Sequence, residues 1–198
     1  MHREITLVMA IVLCTLILSA CSSTPTTEFY ALGRLDAQAA VTNSNSSSVI
    51  GLRRIDLPEY LERANVVSID DQNRLNVASY HQWAGDLHQQ VSRATEMYLQ
   101  QLTSFDIWQA PWNNNVRPQY QLAIQIHRMD GELGSDLVLQ AEWRLYDVRK
   151  ESVLLSDRVE LGVSSQSSRH ADYVASIDQA IMRLADTIAP SLQTVLVP

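Results

Sequence analysis

The chain has 198 residues, of which 46% are hydrophobic and 19% are charged, enough for one domain with a sizeable core. Its formal net charge is −7, and its 15 basic residues include a single lysine, Lys150. Because the sequence contains no basic cluster, a nucleic-acid partner is not expected.

The N-terminus predicts a secretory signal peptide. Residues 5–18 are almost purely apolar and follow Arg3, whose charge Glu4 offsets. A run of about 14 residues is short for a membrane-spanning helix, which needs roughly 20, but it suits the apolar region of a signal peptide.

The signal segment ends in Leu18-Ser19-Ala20-Cys21, which resembles a bacterial lipobox. We expect cleavage between Ala20 and Cys21, with the thiol of Cys21 carrying a diacylglyceryl group and the new N-terminus acylated as well. The alternative, a core cysteine in a buried helix, fits the position and the flanking residues less well. The predicted domains are a signal peptide (1–20), a lipidated tether (21–28) and one periplasmic domain (29–198).

The cysteines also bear on location. Cys14 leaves with the signal peptide and Cys21 becomes a thioether, so the mature protein has neither a free thiol nor a disulfide. By similarity to the Gram-negative sorting rule, Ser22 in place of aspartate after the lipidated cysteine favours the periplasmic side of the outer membrane.

The sequence of the mature chain predicts a short strand, a polar loop and then further strands. In the second half of the chain these strands show alternating apolar and polar side chains. In chain order the predicted strands are 29–32, 49–57, 65–69, 74–78, 105–112, 120–127, 137–147 and 153–163. The third and fourth strands form a hairpin, and the last three form an antiparallel meander with one apolar face.

Two amphipathic helices complete the prediction. The first covers 80–102, with a capping box at Ser79 and Gln82 and an apolar stripe of Trp83, Leu87, Val91, Ala94, Tyr98 and Leu102. The second has a stripe of Tyr173, Val174, Ile177, Ile181, Leu184 and Ile188; Ser168 or Asp172 caps it, and Pro190 breaks or kinks its end. We expect an α+β two-layer sandwich, with both helices packed on the apolar face of an antiparallel or mixed sheet.

The sequence contains no recognisable catalytic motif, and we expect neither an enzyme nor a cofactor. His81 and His88 lie seven residues apart on the first predicted helix, as two metal ligands can, but His88 falls on its polar face, which favours a solvated surface histidine over a metal ligand. His127, Asp130, Glu132 and Asp136 surround a turn, where charge normally serves solvation. Trp83 and Trp143 lie on predicted core faces. Trp108 and Trp112, which flank Pro111, are the candidates for partner binding.

Several sequence pieces follow an order typical of one family. After the lipobox come "FYAL", "LPEYLERANVVSIDDQNRLNVASYHQWAGDL", "QAPW", "YQLAIQIHRMDG" and "LVLQAEWRLYD". They resemble the PqiC/YmbA-type family of ABC-type transport auxiliary lipoproteins over nearly the whole mature chain. The pieces most specific to this family are Leu57-Pro58 with Tyr60-Leu61, Trp83-Ala84, and the hairpin around Asp130-Gly131 and Trp143. The chain differs at Gln82, where the family often has arginine, and in the insertion-like "TNSNSSS" loop.

The resemblance implies a non-enzymatic accessory subunit that docks on a periplasmic Mce-domain protein of an intermembrane phospholipid transport system supporting envelope integrity. A homo-oligomer that matches a ring-shaped Mce assembly is compatible with this role. A second reading is a structural or regulatory envelope lipoprotein that contacts peptidoglycan or an outer-membrane assembly machine. A third, a small hydrolase, would require a nucleophile and a base together in a cleft.

Overall fold

In the part of the chain that the computed structural model describes, residues 25–33, 49–112 and 116–196, the protein forms two mixed β-sheets and two helices. The predicted α+β class is therefore confirmed, while the predicted signal peptide and Cys21 lie outside the described residues. The strands are β1 (Glu28–Tyr30), β2 (Val49–Leu52), β3 (Asn65–Ile69), β4 (Leu75–Trp83), β5 (Asp106–Gln109), β6 (Tyr120–Gly131), β7 (Asp136–Asp147) and β8 (Ser152–Ser164); the helices are α1 (Leu87–Leu102) and α2 (His170–Leu196).

The strands divide into a five-stranded sheet, in the order β5-β2-β6-β7-β8, and a three-stranded sheet, in the order β1-β4-β3. β6, β7 and β8 form the predicted antiparallel meander. β2 pairs in parallel with both β5 and β6, and β1 pairs in parallel with β4. We will call these the large sheet and the small sheet.

Both helices pack on one face of the large sheet, as predicted. α1 contacts β5 and α2, and α2 in turn contacts β7 and β8. The opposite face of the large sheet, which we call the open face, carries the polar half of the alternating pattern. The core between helices and sheet includes Val91, Leu99, Leu122, Ile124, Leu137, Leu139, Trp143, Leu145, Ile177, Ile181 and Leu184.

Helix α1 begins later than the sequence predicted. Asp86 is its N-cap, and its carboxylate accepts a hydrogen bond of 2.9 Å from the backbone N–H of Gln89. The predicted capping box at Ser79 and Gln82 is wrong, because both residues belong to β4, which continues to Trp83. The chain up to Trp83 pairs with β1, and this tertiary pairing overrides a capping pattern that is weak on its own.

The helical stripes face the core with one exception. Leu87, Val91, Ala94 and Tyr98 are buried, but Leu102 at the end of α1 is exposed. α2 continues through Pro190 to Leu196, so the predicted break is wrong. The buried Leu192 and a hydrogen bond of 3.1 Å from Gln193 Nε2 to the Leu102 carbonyl oxygen hold this last segment in place. No helix in the described ranges is long and apolar enough to cross a membrane.

The second strand is shorter than predicted, ending at Leu52 instead of residue 57. The chain beyond it still follows β6. The backbone N–H of Arg53 donates to the Leu122 carbonyl oxygen at 2.9 Å, and Asp56 forms an isolated bridge with Gln125. This segment therefore stays attached to the large sheet without forming a continuous ladder.

Two stacked histidine rings join the small sheet to the start of α2. The centroids of His81, on β4, and His170 are 3.8 Å apart, and their planes lie within 10°. The predicted placement of His81 on a helix with His88 is therefore wrong. The Tyr30 hydroxyl lies 2.9 Å from His81 Nδ1 and donates to Glu28 at 2.5 Å. Burial and Glu28 raise the pKa of Tyr30 to about 12.

Because of this histidine stack, we expect the folded protein to lose stability in acid. Burial and the adjacent His81 ring lower the pKa of His170, although Glu28 opposes this. The folded state then binds fewer protons at this ring than the unfolded state, so stability falls as the pH drops below the ordinary histidine pKa of about 6.5. We expect His170→Phe to reduce the fall in melting temperature between about pH 7 and pH 5. His127→Phe, at an exposed position of β6, should leave that fall unchanged.

Candidate partner-binding surface

The two tryptophans predicted for binding lie together at one end of the open face. Trp108, on β5, is 43% exposed. β5 ends at Gln109, short of the predicted residue 112, and the Ala110–Pro111 peptide bond is cis. The chain then brings the indole of Trp112 back, so that its Nε1 donates to the Trp108 carbonyl oxygen at 2.8 Å.

Gly51 on β2 makes room for the Trp112 ring. A Cβ atom at this position would lie 2.7 Å from Cε2 of Trp112 and 2.8 Å from the Pro118 ring, both closer than van der Waals contact allows. A side chain at this position would therefore displace the indole. Sequence reasoning missed Gly51, because a single glycine in a strand signals close backbone approach without naming the partner.

The strand register extends this aromatic end across the open face. Gly51 pairs with Trp108 on one side and with Gln121 on the other, and Gln121 pairs with Tyr146. Paired positions point to the same face of a sheet, so these residues form one row across four strands. The row brings Tyr146, on β7, to the same face as the two tryptophans.

A polar cavity of about 290 Å³ adjoins Tyr146 on this face. Three of the residues that line this cavity are arginines. Two of them, Arg53 and Arg54, make no side-chain hydrogen bond or ion pair with any described residue. The lining residues are Arg53, Arg54, Asp56, Ala123, Ile124, Gln125, Glu142, Arg144 and Tyr146.

Glu142 is the charged centre of the middle strands. Its carboxylate accepts hydrogen bonds from Arg158, at 3.0 Å, and from Arg144. The hydrogen bond from Arg158, followed by the charges of both arginines, lowers the pKa of Glu142, so this group is ionised at neutral pH. We call the aromatic row, the cavity and these arginines together the aromatic–arginine surface.

A second concave region lies at the N-terminal end of α1. Two adjoining cavities of about 420 and 520 Å³ share the N-cap Asp86 and the cis-proline turn at Ala110–Pro111. His88, on the wall of the smaller cavity, is buried, contrary to its predicted place on a polar helix face. Its Nδ1 lies 3.1 Å from the Ile55 carbonyl oxygen and its Nε2 lies 2.9 Å from Glu62, so the ring ties α1 to the segment after β2.

Buried polar contacts join two of the most specific sequence pieces. Tyr60 donates a hydrogen bond to the carboxylate of Asp130, which also accepts one from Arg128 Nε at 2.9 Å. Asp130 is 1% exposed, so its predicted place in a solvated turn is wrong; β6 runs on through Gly131. Burial and the bond to Asp130 raise the pKa of Tyr60. These buried contacts support the fold.

We expect Asp130→Ala to lower the free energy of unfolding by about 2–3 kcal/mol, because it leaves the Tyr60 hydroxyl without its charged partner. Asp136→Ala is the matched control: Asp136 is exposed and its carboxylate accepts a hydrogen bond of 2.6 Å from Ser164 Oγ, so its loss should cost less than about 1 kcal/mol. Urea unfolding measures both variants. Equal midpoints for the two variants would contradict the structural role of Asp130.

No group of three or more histidine, cysteine, aspartate or glutamate side chains in the described ranges is arranged to hold a metal ion. The described surface instead combines the exposed ring of Trp108 and the half-buried rings of Trp112 and Tyr146 with arginines, of which Arg53 and Arg54 have no ionic partner among the described residues. Both residue types are enriched at the energetic centres of protein–protein interfaces. The chemistry that this arrangement supports is partner binding.

Comparison with known proteins identifies a family. The model of the family described as "ABC-type transport auxiliary lipoprotein component" matches residues 30–189. No curated protein sequence matches the chain.

The fold is shared by solved structures, two of which follow. An uncharacterized protein is 18% identical over 85% of this chain and 99% of its own, with a TM-score of 0.69. Protein XCC0632 from Xanthomonas campestris, of the family DUF330, is 13% identical over 86% of this chain and 95% of its own, with a TM-score of 0.66. At these identities the similarity establishes the fold and does not extend to function.

Proposed function

The chain belongs to the family of ABC-type transport auxiliary lipoprotein components, and from this membership we propose that it is a non-enzymatic docking subunit of a lipid transport system. In this proposal acyl chains on Cys21 hold the protein at the periplasmic face of the outer membrane. The folded domain binds a periplasmic Mce-domain protein, and the system moves phospholipid between the two membranes and so supports envelope integrity. Several copies of the chain could serve one ring-shaped partner.

The aromatic–arginine surface is the observation that carries this proposal. Trp108 is 43% exposed, although the same chain buries Trp83 and Trp143 in its core. Arg53 and Arg54 extend beside it without ionic partners among the described residues. Aromatic rings supply buried area and arginines supply directional bonds, so the surface is suited to a protein partner with apolar and acidic groups.

The alternative function is that of a structural or regulatory envelope lipoprotein that contacts peptidoglycan or an outer-membrane assembly machine. The same surface would serve that role equally well, because its chemistry favours protein contact without identifying the protein. The identity of the captured partner is therefore the measurement that separates the two functions.

A photo-crosslinking residue at position 108 tests the proposal in living cells. We expect it to capture an Mce-domain protein, whereas the same residue at Met182, which is 38% exposed on α2, should capture none. Both positions lie in regular secondary structure and expose a large apolar side chain. The comparison therefore isolates the face of the domain that is used.

Truncation of the surface tests its contribution to binding. In a strain carrying the crosslinker at a neighbouring position, Arg53→Ala should reduce capture about tenfold, the effect of removing one strong interface residue. Arg63→Ala changes another exposed arginine, one that does not line the cavity, and should have no effect. Capture of a cell-wall enzyme or an assembly factor in place of an Mce protein would support the alternative function.

A further inference from the structure

The small sheet fixes the direction from which the chain enters the domain. β1 runs parallel to β4, with Glu28 opposite His81 and Tyr30 opposite Trp83. In a parallel pair, residues that precede Glu28 lie toward the earlier residues of β4. β4 begins at Leu75, immediately after the turn that joins it to β3. The N-terminal tether therefore approaches the domain from the side of the β3–β4 hairpin turn.

The same sheet exposes an unusual share of apolar surface. Of the ten large apolar side chains that are exposed in the described part of the chain, four belong to β1 and β4. Phe29 lies opposite Gln82, two residues beyond Tyr80, so the two aromatic rings share a face of the sheet. The exposed fractions are 64% for Phe29, 44% for Leu75, 43% for Val77 and 41% for Tyr80.

The turn at the end of the hairpin is polar and is fixed by its own hydrogen bonds. Asp70 accepts bonds from the backbone N–H groups of Gln72 and Arg74 at 3.0 and 2.9 Å, and pairs with the Arg74 guanidinium at 2.8 Å. Apolar side chains begin directly behind this polar end, at Leu75. A charged turn next to exposed apolar side chains, here those of β4, fits the boundary between lipid headgroups and acyl chains.

We propose that the β3–β4 hairpin and Phe29 rest in the headgroup–acyl boundary of the membrane that holds the lipid anchor. The inference rests on the proposed acylation of Cys21. Seven residues lie between Cys21 and Phe29, so the chain makes eight Cα–Cα steps and the aromatic face lies within about 29 Å of the anchor, on the side from which the tether enters. Tethering gives the bilayer a high effective concentration at this surface, so a small apolar patch suffices for contact.

Single-cysteine labelling tests this contact in the full acylated protein. The mature chain has no free thiol once Cys21 is acylated, so Val77→Cys introduces a unique labelling site. Val153→Cys is the control: Val153 is a 49% exposed valine on β8, at the edge of the large sheet. Each variant carries an environment-sensitive fluorophore and is reconstituted in vesicles of phosphatidylethanolamine and phosphatidylglycerol, with and without nitroxide-labelled lipid.

We expect the fluorophore at residue 77 to shift to shorter wavelength and to lose at least about half of its emission with nitroxide lipid, while the fluorophore at residue 153 does neither. Phe29→Ser combined with Tyr80→Ser should diminish both changes without releasing the protein from the vesicles. A wavelength shift that nitroxide lipid does not quench would place a protein contact on the hairpin and overturn the proposal. If the protein floats with the vesicles but the fluorophore at residue 77 shows no wavelength shift, the hairpin proposal is overturned and the anchor is not. If the protein does not float with the vesicles, the proposed anchor itself is contradicted.

Discussion

Replacing Trp143 by alanine is expected to lower the free energy of unfolding by about 3–5 kcal/mol, as removal of a large aromatic side chain from a core does. Trp143 is 1% exposed and lies in the middle of β7, opposite Ile124 on β6 and Asp157 on β8. The cavity left by the indole would lie beneath α2, which packs on β7 and β8. Denaturant titration followed by circular dichroism measures the loss.

Two further variants separate packing from hydrogen bonding at this site. Trp143 Nε1 makes no hydrogen bond with any described residue, so the side chain stabilises the protein through packing alone. Trp143→Phe should therefore cost less than half of the alanine substitution, because the lost area is partly offset by removal of an unpaired buried donor. Trp108→Ala, at an exposed position, should cost less than about 1 kcal/mol. An unchanged unfolding midpoint for Trp143→Ala would mean that this side chain contributes nothing to the core.

The elements that sequence reasoning predicted best are those whose pattern is set by local geometry. Strand alternation assigned Trp143 and Leu145 to the core face, and both are buried. The helical stripes from Val91 to Tyr98 and from Tyr173 to Ile188 also face the core. These patterns follow from the periods of 2 and 3.6 residues, which do not depend on the partner element.

The elements that sequence reasoning missed depend on contacts between residues that are far apart in the sequence. β4 reaches Trp83 because Tyr30, more than fifty residues earlier, pairs with it. The small sheet and the parallel pairs of β2 have the same origin, since alternation does not specify which strands meet. Sequence reasoning missed a local signal at the start of α1, the favoured N-cap residue Asp86.

The candidate surface was predicted only in part. Sequence reasoning selected Trp108 and Trp112 because both flank a proline at a strand end. It did not connect them with Tyr146 or Arg53, because that row exists only through the register of four strands. It also placed Asp130 in solvent, since the buried hydrogen bond from Tyr60 joins residues seventy positions apart.

The second large effect concerns the anchor. We expect Cys21→Ser to abolish attachment to the outer membrane, with at least about a tenfold fall in the fraction found in that membrane, because two or more acyl chains are needed for stable anchoring. Each buried methylene contributes roughly 0.8 kcal/mol, so losing whole chains removes more binding free energy than any side-chain contact of the domain supplies. The unlipidated precursor should also fail to sort to the outer membrane.

Cys14→Ser is the matched control, because it removes the only other cysteine, from a segment that the prediction assigns to the cleaved signal peptide. We expect this variant to be processed, acylated and sorted like the unchanged protein. Membrane fractionation measures attachment, and mass spectrometry of the mature N-terminus identifies the acylated residue. A Cys21→Ser protein that is still cleaved and still resides in the outer membrane would mean that contacts of the folded domain, and not acyl chains, hold it there. In that event the exposed hairpin would become the first candidate for the attachment, and Phe29 the first residue to change.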